Sequence, residues 1–117
     1  MMAPVSRDSD DLLPLRPVVF QVLLSLADEE RHGYAIVQDI AERDSARIQL
    51  EPGNLYRTLK HMLDEGLIEE SERRPVAGRD DERRRYYRIT KFGRQAALAE
   101  ANRLQALAAE ARARFAR

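Results

Sequence analysis

A chain of 117 residues is long enough for one domain with at most one long appended helix, and without cysteine it has neither a disulfide framework nor a thiolate metal site. Its 20 basic and 20 acidic side chains cancel, so the total charge names no partner. No apolar run approaches the roughly 18 residues of a membrane span, and the acidic start from Met1 to Asp11 is unlike a signal peptide, so a soluble cytoplasmic protein is expected, with no membrane partner.

In chain order, residues 1–11 read as a flexible lead-in. Val19, Val22, Leu23 and Leu26 then repeat at helical spacing, with Pro17 tolerated in the first turn, which predicts a core-facing helix. Asp28 to Arg31 form a charged turn, and His32-Gly33-Tyr34 opens a second helix that carries Ile36, Val37 and Ile40 inward. His32 is expected to cap or orient that helix. Ile48-Gln49-Leu50 suits a short strand.

A third helix follows from Pro52, whose missing N–H costs nothing at the first helical position, and Glu51 suits the positive end of the helix dipole. Leu55, Leu59, Met62 and Leu63 make one apolar stripe. At roughly 100° per residue, Arg57, Lys60, His61 and Asp64 lie opposite it, with Gly53 and Asn54 on the same outer side and Tyr56 at the edge. Gly66 is where a left-handed cap would stop the helix. Such a helix is by itself an ordinary amphipathic surface element.

The charge distribution sets it apart. Residues 1–50 hold 5 basic and 9 acidic side chains and residues 51–72 hold 2 and 6, whereas residues 73–94 hold 9 and 3. Arg73, Arg74, Arg79, Arg83, Arg84, Arg85 and Arg88 fall within one expected hairpin, a strand from Gly66-Leu67-Ile68 onward and a second strand ending Arg85-Tyr86-Tyr87-Arg88-Ile89-Thr90. A cationic loop of this kind suits phosphate, which arginine contacts in bidentate fashion. Because Arg85, Tyr86 and Tyr87 alternate faces, at least one tyrosine belongs to the core.

The terminal segment has Thr90 as a suitable N-cap, and Ala97, Ala101, Leu104, Ala108, Ala111 and Phe115 recur at spacings 4, 3, 4, 3, 4, a heptad seam widened by Leu98 and Leu107. A helix of about 26 residues is about 40 Å long, more than so small a core can cover, so a second copy of the chain is expected along it. The expected fold is therefore mainly α with a small β-hairpin: a winged helix-turn-helix over residues 12–90 and a dimerisation helix over residues 91–117. In that arrangement the third helix enters the DNA major groove and the second lies across the backbone. The candidate contacts to double-stranded DNA are Tyr34, Gly53, Asn54, Tyr56, Arg57, Lys60, His61, Arg83 and Arg84. A coiled-coil adaptor using the terminal helix alone leaves the arginine-rich hairpin unexplained. Catalysis, which would need a nucleophile with a base, a carboxylate pair in a cleft or a metal, is not expected. Of the only two histidines His61 is read as facing outward and His32 as capping its helix, and without cysteine a two-histidine metal site lacks support; neither metal nor cofactor is expected.

His32-Gly33-Tyr34-Ala35-Ile36, Gly53-Asn54-Leu55-Tyr56 with Leu59, Gly66-Leu67-Ile68 and Tyr86-Tyr87-Arg88-Ile89-Thr90-Lys91-Phe92-Gly93-Arg94 resemble the PadR family of bacterial transcriptional regulators, over roughly residues 15–95. The resemblance implies a homodimeric winged-helix repressor, of the short subfamily with a single C-terminal dimerisation helix. It also implies DNA contacts from Tyr56 and the basic residues of the wing. Proline often follows that tyrosine in the family, and Arg57 stands there in this chain. The resemblance further allows a small-molecule effector at the dimer interface. With no tryptophan and chiefly alanine, leucine and Phe115 on the terminal helix, a modest apolar cavity or none fits better than a stacking site for planar drugs.

Overall fold

Pro17 opens the first helix, α1 (Pro17–Ser25), and the spacing of Val19, Val22 and Leu23 turns all three into the core. The computed structural model describes residues 8–44, 52–72 and 85–116. A two-residue strand, β1 (Arg31–His32), runs straight into α2 (Gly33–Asp44), where the Ala35 N–H donates to His32 Nδ1 at 3.3 Å, so the histidine orients the helix start as expected. Ile36 and Ile40 are buried and Val37 is partly so.

Helix α3 (Pro52–Asp64) buries Leu55, Leu59 and Met62, with Leu63 half-buried beside them. Gly66 ends it at φ +78°, a left-handed conformation that glycine adopts without strain. The Leu67 N–H reaches back to the Met62 carbonyl at 2.9 Å and the Gly66 N–H to that of Leu63 at 3.1 Å, the paired bonds of a Schellman stop. Leu67 and Met62, both buried, supply the apolar contact that accompanies this motif.

Strands β2 (Ile68–Glu70) and β3 (Tyr86–Ile89) form the base of the expected hairpin, and β3 is the central strand of an antiparallel sheet of order β1-β3-β2. The register pairs Ile68 with Ile89, Glu69 with Arg88 and Glu70 with Tyr87 on one side of β3, and Arg31 with Tyr87 on the other. Tyr87 is the core tyrosine. The sheet thus gains a third strand at Arg31–His32, read from sequence as a charged turn and a helix start. Two residues are too few to show alternation. The strand expected at Ile48-Gln49-Leu50 lies outside the described residues.

Helix α4 (Lys91–Phe115) starts where the Thr90 hydroxyl accepts the Gly93 N–H at 2.9 Å. Its first turns lie on the rest of the domain through Gly93, Ala96 and Glu100, all buried. The expected lead-in is described from Asp8, whose carboxylate accepts the Asp10 N–H at 2.9 Å and begins a 3-10 turn, Ser9–Leu12, packed against α4.

Glu100 fastens that contact. It is 3% exposed, receives Arg103 through two hydrogen bonds of 2.7 and 2.8 Å, and accepts a backbone hydrogen bond from Leu15. The Arg103 bonds outweigh the penalty of burial, and with the Leu15 bond they hold its carboxyl below the ordinary glutamate value. A carboxyl lowered on folding contributes stability above its unfolded pKa and loses it as pH falls through the folded one. Glu100→Gln is therefore expected to cost on the order of 1 kcal/mol in urea unfolding at neutral pH. The gap from wild type should narrow in acid below about pH 4. A pH-independent gap would show that the carboxylate charge contributes nothing.

Candidate nucleic-acid interface

The exposed side of α3 carries Gly53, Asn54, Tyr56, Arg57, Lys60 and His61, as the helical spacing predicts. Within this set Arg57 Nη2 donates to the side-chain oxygen of Asn54, one turn earlier. The two flanks of the helix face different neighbours. Tyr56, 52% exposed, lies beside the head of α2, where a methyl group at Gly33 would stand 3.7 Å from its ring and 3.8 Å from its hydroxyl. His61 lies on the other flank and borders a hollow of about 160 Å³ with Leu12, Pro14, Leu15, Arg16, Val19, Glu65 and Leu67. Gly53, Asn54, Arg57 and Lys60 are exposed as well.

Tyr34, 61% exposed, projects from the first turn of α2, and its hydroxyl accepts a hydrogen bond from Gln38 at 3.1 Å. Its ring stacks on His32 with centroids 6.5 Å apart at 10°, and His32 meets Tyr86 edge to face at 5.4 Å. An aromatic group thus joins the head of α2 to the wing, with Tyr56 close to its glycine. His32 and Tyr86 were not among the candidate contacts; the His32-Gly33-Tyr34 run was the sequence signal for His32, whereas Tyr86 joins the group only through the pairing of β1 with β3.

The angle of α2 is held from behind. Arg43 donates to Ser25 Oγ at 2.7 Å and to the Gln21 carbonyl at 3.0 Å on α1, and to Asp39 Oδ2 at 3.0 Å on its own helix. Arg31 adds a 2.7 Å bond to the Ser25 carbonyl. Burial alone would raise the Asp39 carboxyl, but hydrogen bonds from Ser25 and Arg43 and the charge of Arg31 hold it below its ordinary value. An ionised, doubly anchored carboxylate therefore ties α2 to α1 and β1.

At the base of the wing, charge is paired across the sheet. Arg88 meets Glu69 at 2.8 Å and Glu30 at 3.8 Å, Arg85 meets Glu70 at 3.3 Å, and Ser71 Oγ donates to Glu30 at 2.6 Å. Of the seven arginines read from sequence as one cationic patch, these two are matched by carboxylates. The expected contacts Arg83 and Arg84 lie outside the described residues, as do Arg73, Arg74 and Arg79.

Along α4, Ala97 is half-buried, while Ala101, Leu104, Ala108, Ala111 and Phe115 are exposed, Leu104 at 39% and Phe115 at 83%. Leu98 and Leu107 are exposed as well. The buried face of the helix and the heptad seam are thus neighbouring but distinct. Among the described residues no group of three potential ligands could hold a metal ion, and no helix is long and apolar enough to cross a membrane.

The family model described as "Transcriptional regulator PadR-like family" matches residues 22–99. The transcriptional regulator Rv3488 of Mycobacterium tuberculosis is 37% identical over 93 residues, 80% of each chain. A transcriptional regulator of Clostridium thermocellum shares the fold at TM-score 0.67 and 21% identity, over 96% of this chain and all of that one. Bacillus subtilis PadR, solved in complex with operator DNA, aligns at TM-score 0.61 and 23% identity over 74% of this chain and 47% of its own. Among the described residues, the three-stranded sheet of order β1-β3-β2, the helices packed beside it and the long terminal helix make up a winged helix-turn-helix fold. With the family model covering α2, α3, the sheet and the start of α4, this chain belongs to the PadR-like family of transcriptional regulators.

Proposed function

We propose that the protein is a homodimeric repressor that reads a pseudo-palindromic operator, with α3 in the major groove, Tyr34 and Tyr56 on the phosphates beside it, and the wing arginines along the backbone. One contrast carries the reading. Among the described residues Arg57 and Lys60 meet no carboxylate, whereas Arg85 and Arg88 are matched by glutamates. Cations on a solvent face opposite a buried stripe, with no carboxylate partner among the described residues, suit an acceptor-rich partner such as DNA. Bacillus subtilis PadR, a protein of this fold, is solved in complex with operator DNA, which supports DNA as the partner. Two copies joined along the seam of Ala97, Ala101, Leu104, Ala108, Ala111 and Phe115 would space their recognition helices by about one turn of DNA, roughly 34 Å. An effector held between paired terminal helices would meet alanine, leucine and Phe115.

Binding-site selection with the purified protein tests this reading, and a palindromic consensus is the expected result. Arg57→Ala is expected to cost about 1 to 3 kcal/mol and to relax preference at one position in each half-site. If Arg57→Ala and Lys60→Ala both bind the selected operator as wild type does, α3 is not the groove helix.

Neutralising Arg83 and Arg84 together is expected to weaken binding to every duplex alike. It should also flatten the dependence of log affinity on log salt by about one unit for each phosphate left without its arginine. An unchanged slope assigns these arginines to the fold or to a protein partner. Binding indifferent to sequence in the wild type, with the dimer intact, favours the coiled-coil adaptor instead.

A further inference from the structure

We propose that Asn54 is a positioning residue for Arg57 and that the pair reads guanine and rejects adenine at one position of each half-site, an inference that rests on α3 being the groove helix. Arg57 Nη2 donates to Asn54 Oδ1, and both side chains are exposed on the outer face of α3. A guanidinium only donates, so the atom that meets it is the amide oxygen. That oxygen is the one acceptor atom of the Asn54 side chain, and Arg57 takes one of its two lone pairs. Apart from the second lone pair of that oxygen, the polar groups left to the exposed pair are the Asn54 amide N–H groups and the remaining Arg57 N–H groups, all donors.

In the major groove guanine offers two acceptors, N7 and O6, whereas adenine offers an acceptor and the N6 amino donor. An unengaged asparagine matches adenine by accepting from N6 and donating to N7. Here adenine's amino group would have to share that oxygen with a guanidinium, whose positive charge and N–H groups oppose a second donor beside it. Guanine meets donors only. The bond within one turn also holds the long Arg57 side chain before DNA arrives, which lowers the conformational entropy cost of binding. A phosphate offers acceptors too, but contact there would leave no base preference.

The test is selection from a random duplex library with wild-type protein, Arg57→Ala, Asn54→Ala and Asn54→Asp, each first shown to melt as wild type does. Arg57→Ala identifies the position that the pair reads. Wild type is expected to prefer guanine over adenine there by about tenfold or more. Asn54→Ala is expected to reduce that preference to about threefold or less, by releasing the arginine. Asn54→Asp keeps an oxygen for Arg57 and is expected to keep the guanine preference, with weaker binding overall from the added negative charge near phosphates. Adenine at that position, or a guanine preference unchanged in Asn54→Ala or abolished in Asn54→Asp, overturns the pair while leaving the groove reading standing. Wild type that selects no duplex overturns both.

Discussion

Leu104→Glu is expected to sediment as a monomer at concentrations where the wild type is a dimer, and to lose tight operator binding while the winged-helix core melts unchanged. Leu104 stands at the centre of the heptad seam, is 39% exposed on the single chain, and is not part of the buried core. The substitution therefore removes nothing that the isolated domain needs. In the proposed dimer the same position is covered by the partner helix, and an unpaired carboxylate there costs several kcal/mol in desolvation. Operator affinity follows because two half-sites bound by one dimer become two separate events. A wild-type protein that stays monomeric at micromolar concentration and occupies a palindromic operator without pairing on it would rule out the seam as the dimer contact.

Gly93→Ala is expected to be the most damaging single methyl addition among the described glycines. A Cβ there would stand 2.1 Å from the backbone oxygen of Leu67 and 2.9 Å from Ile89 Cγ1. That oxygen also accepts the Thr90 N–H at 3.1 Å and the Thr90 hydroxyl at 3.0 Å, so it is fixed from the other side. No side-chain rotation relieves a clash with backbone. The start of α4 must lift from β2, which opens the burial of Ala96 and Glu100. Overpacking usually costs 1 to 3 kcal/mol, and with a rigid neighbour at least about 3 kcal/mol is expected here. For a domain of this size that lowers the melting temperature by more than about 10 °C. A variant melting within a few degrees of wild type would show that α4 moves freely against the sheet.

Much of this architecture was already legible in local patterns. Leu55, Leu59 and Met62 at helical spacing, bracketed by Pro52 and Gly66, defined α3 and its outer face because a helix repeats every 3.6 residues whatever surrounds it. Thr90 as N-cap and His32 at the head of α2 followed from side chains that satisfy backbone groups a few residues away. The alternation of Tyr86 and Tyr87 called for one core tyrosine, and Tyr87 occupies that place.

What required the tertiary structure involves partners distant along the chain. Arg31–His32 becomes a strand only because Tyr86 and Tyr87, more than fifty residues later, present backbone groups to it. Arg85 and Arg88 belong by sequence to a basic cluster, and only the register of β2 against β3 and the approach of Glu30 match them with carboxylates. Helical spacing assigns His61 to the exposed side of α3, where it lies; that it also borders a hollow depends on the N-terminal segment packed beside it. Glu100 looks like one more solvated charge on an alanine-rich helix, yet it lies buried and accepts a backbone hydrogen bond from Leu15. In each case composition and periodicity describe a residue's own helix or strand, whereas charge pairing and burial depend on what the fold brings against it.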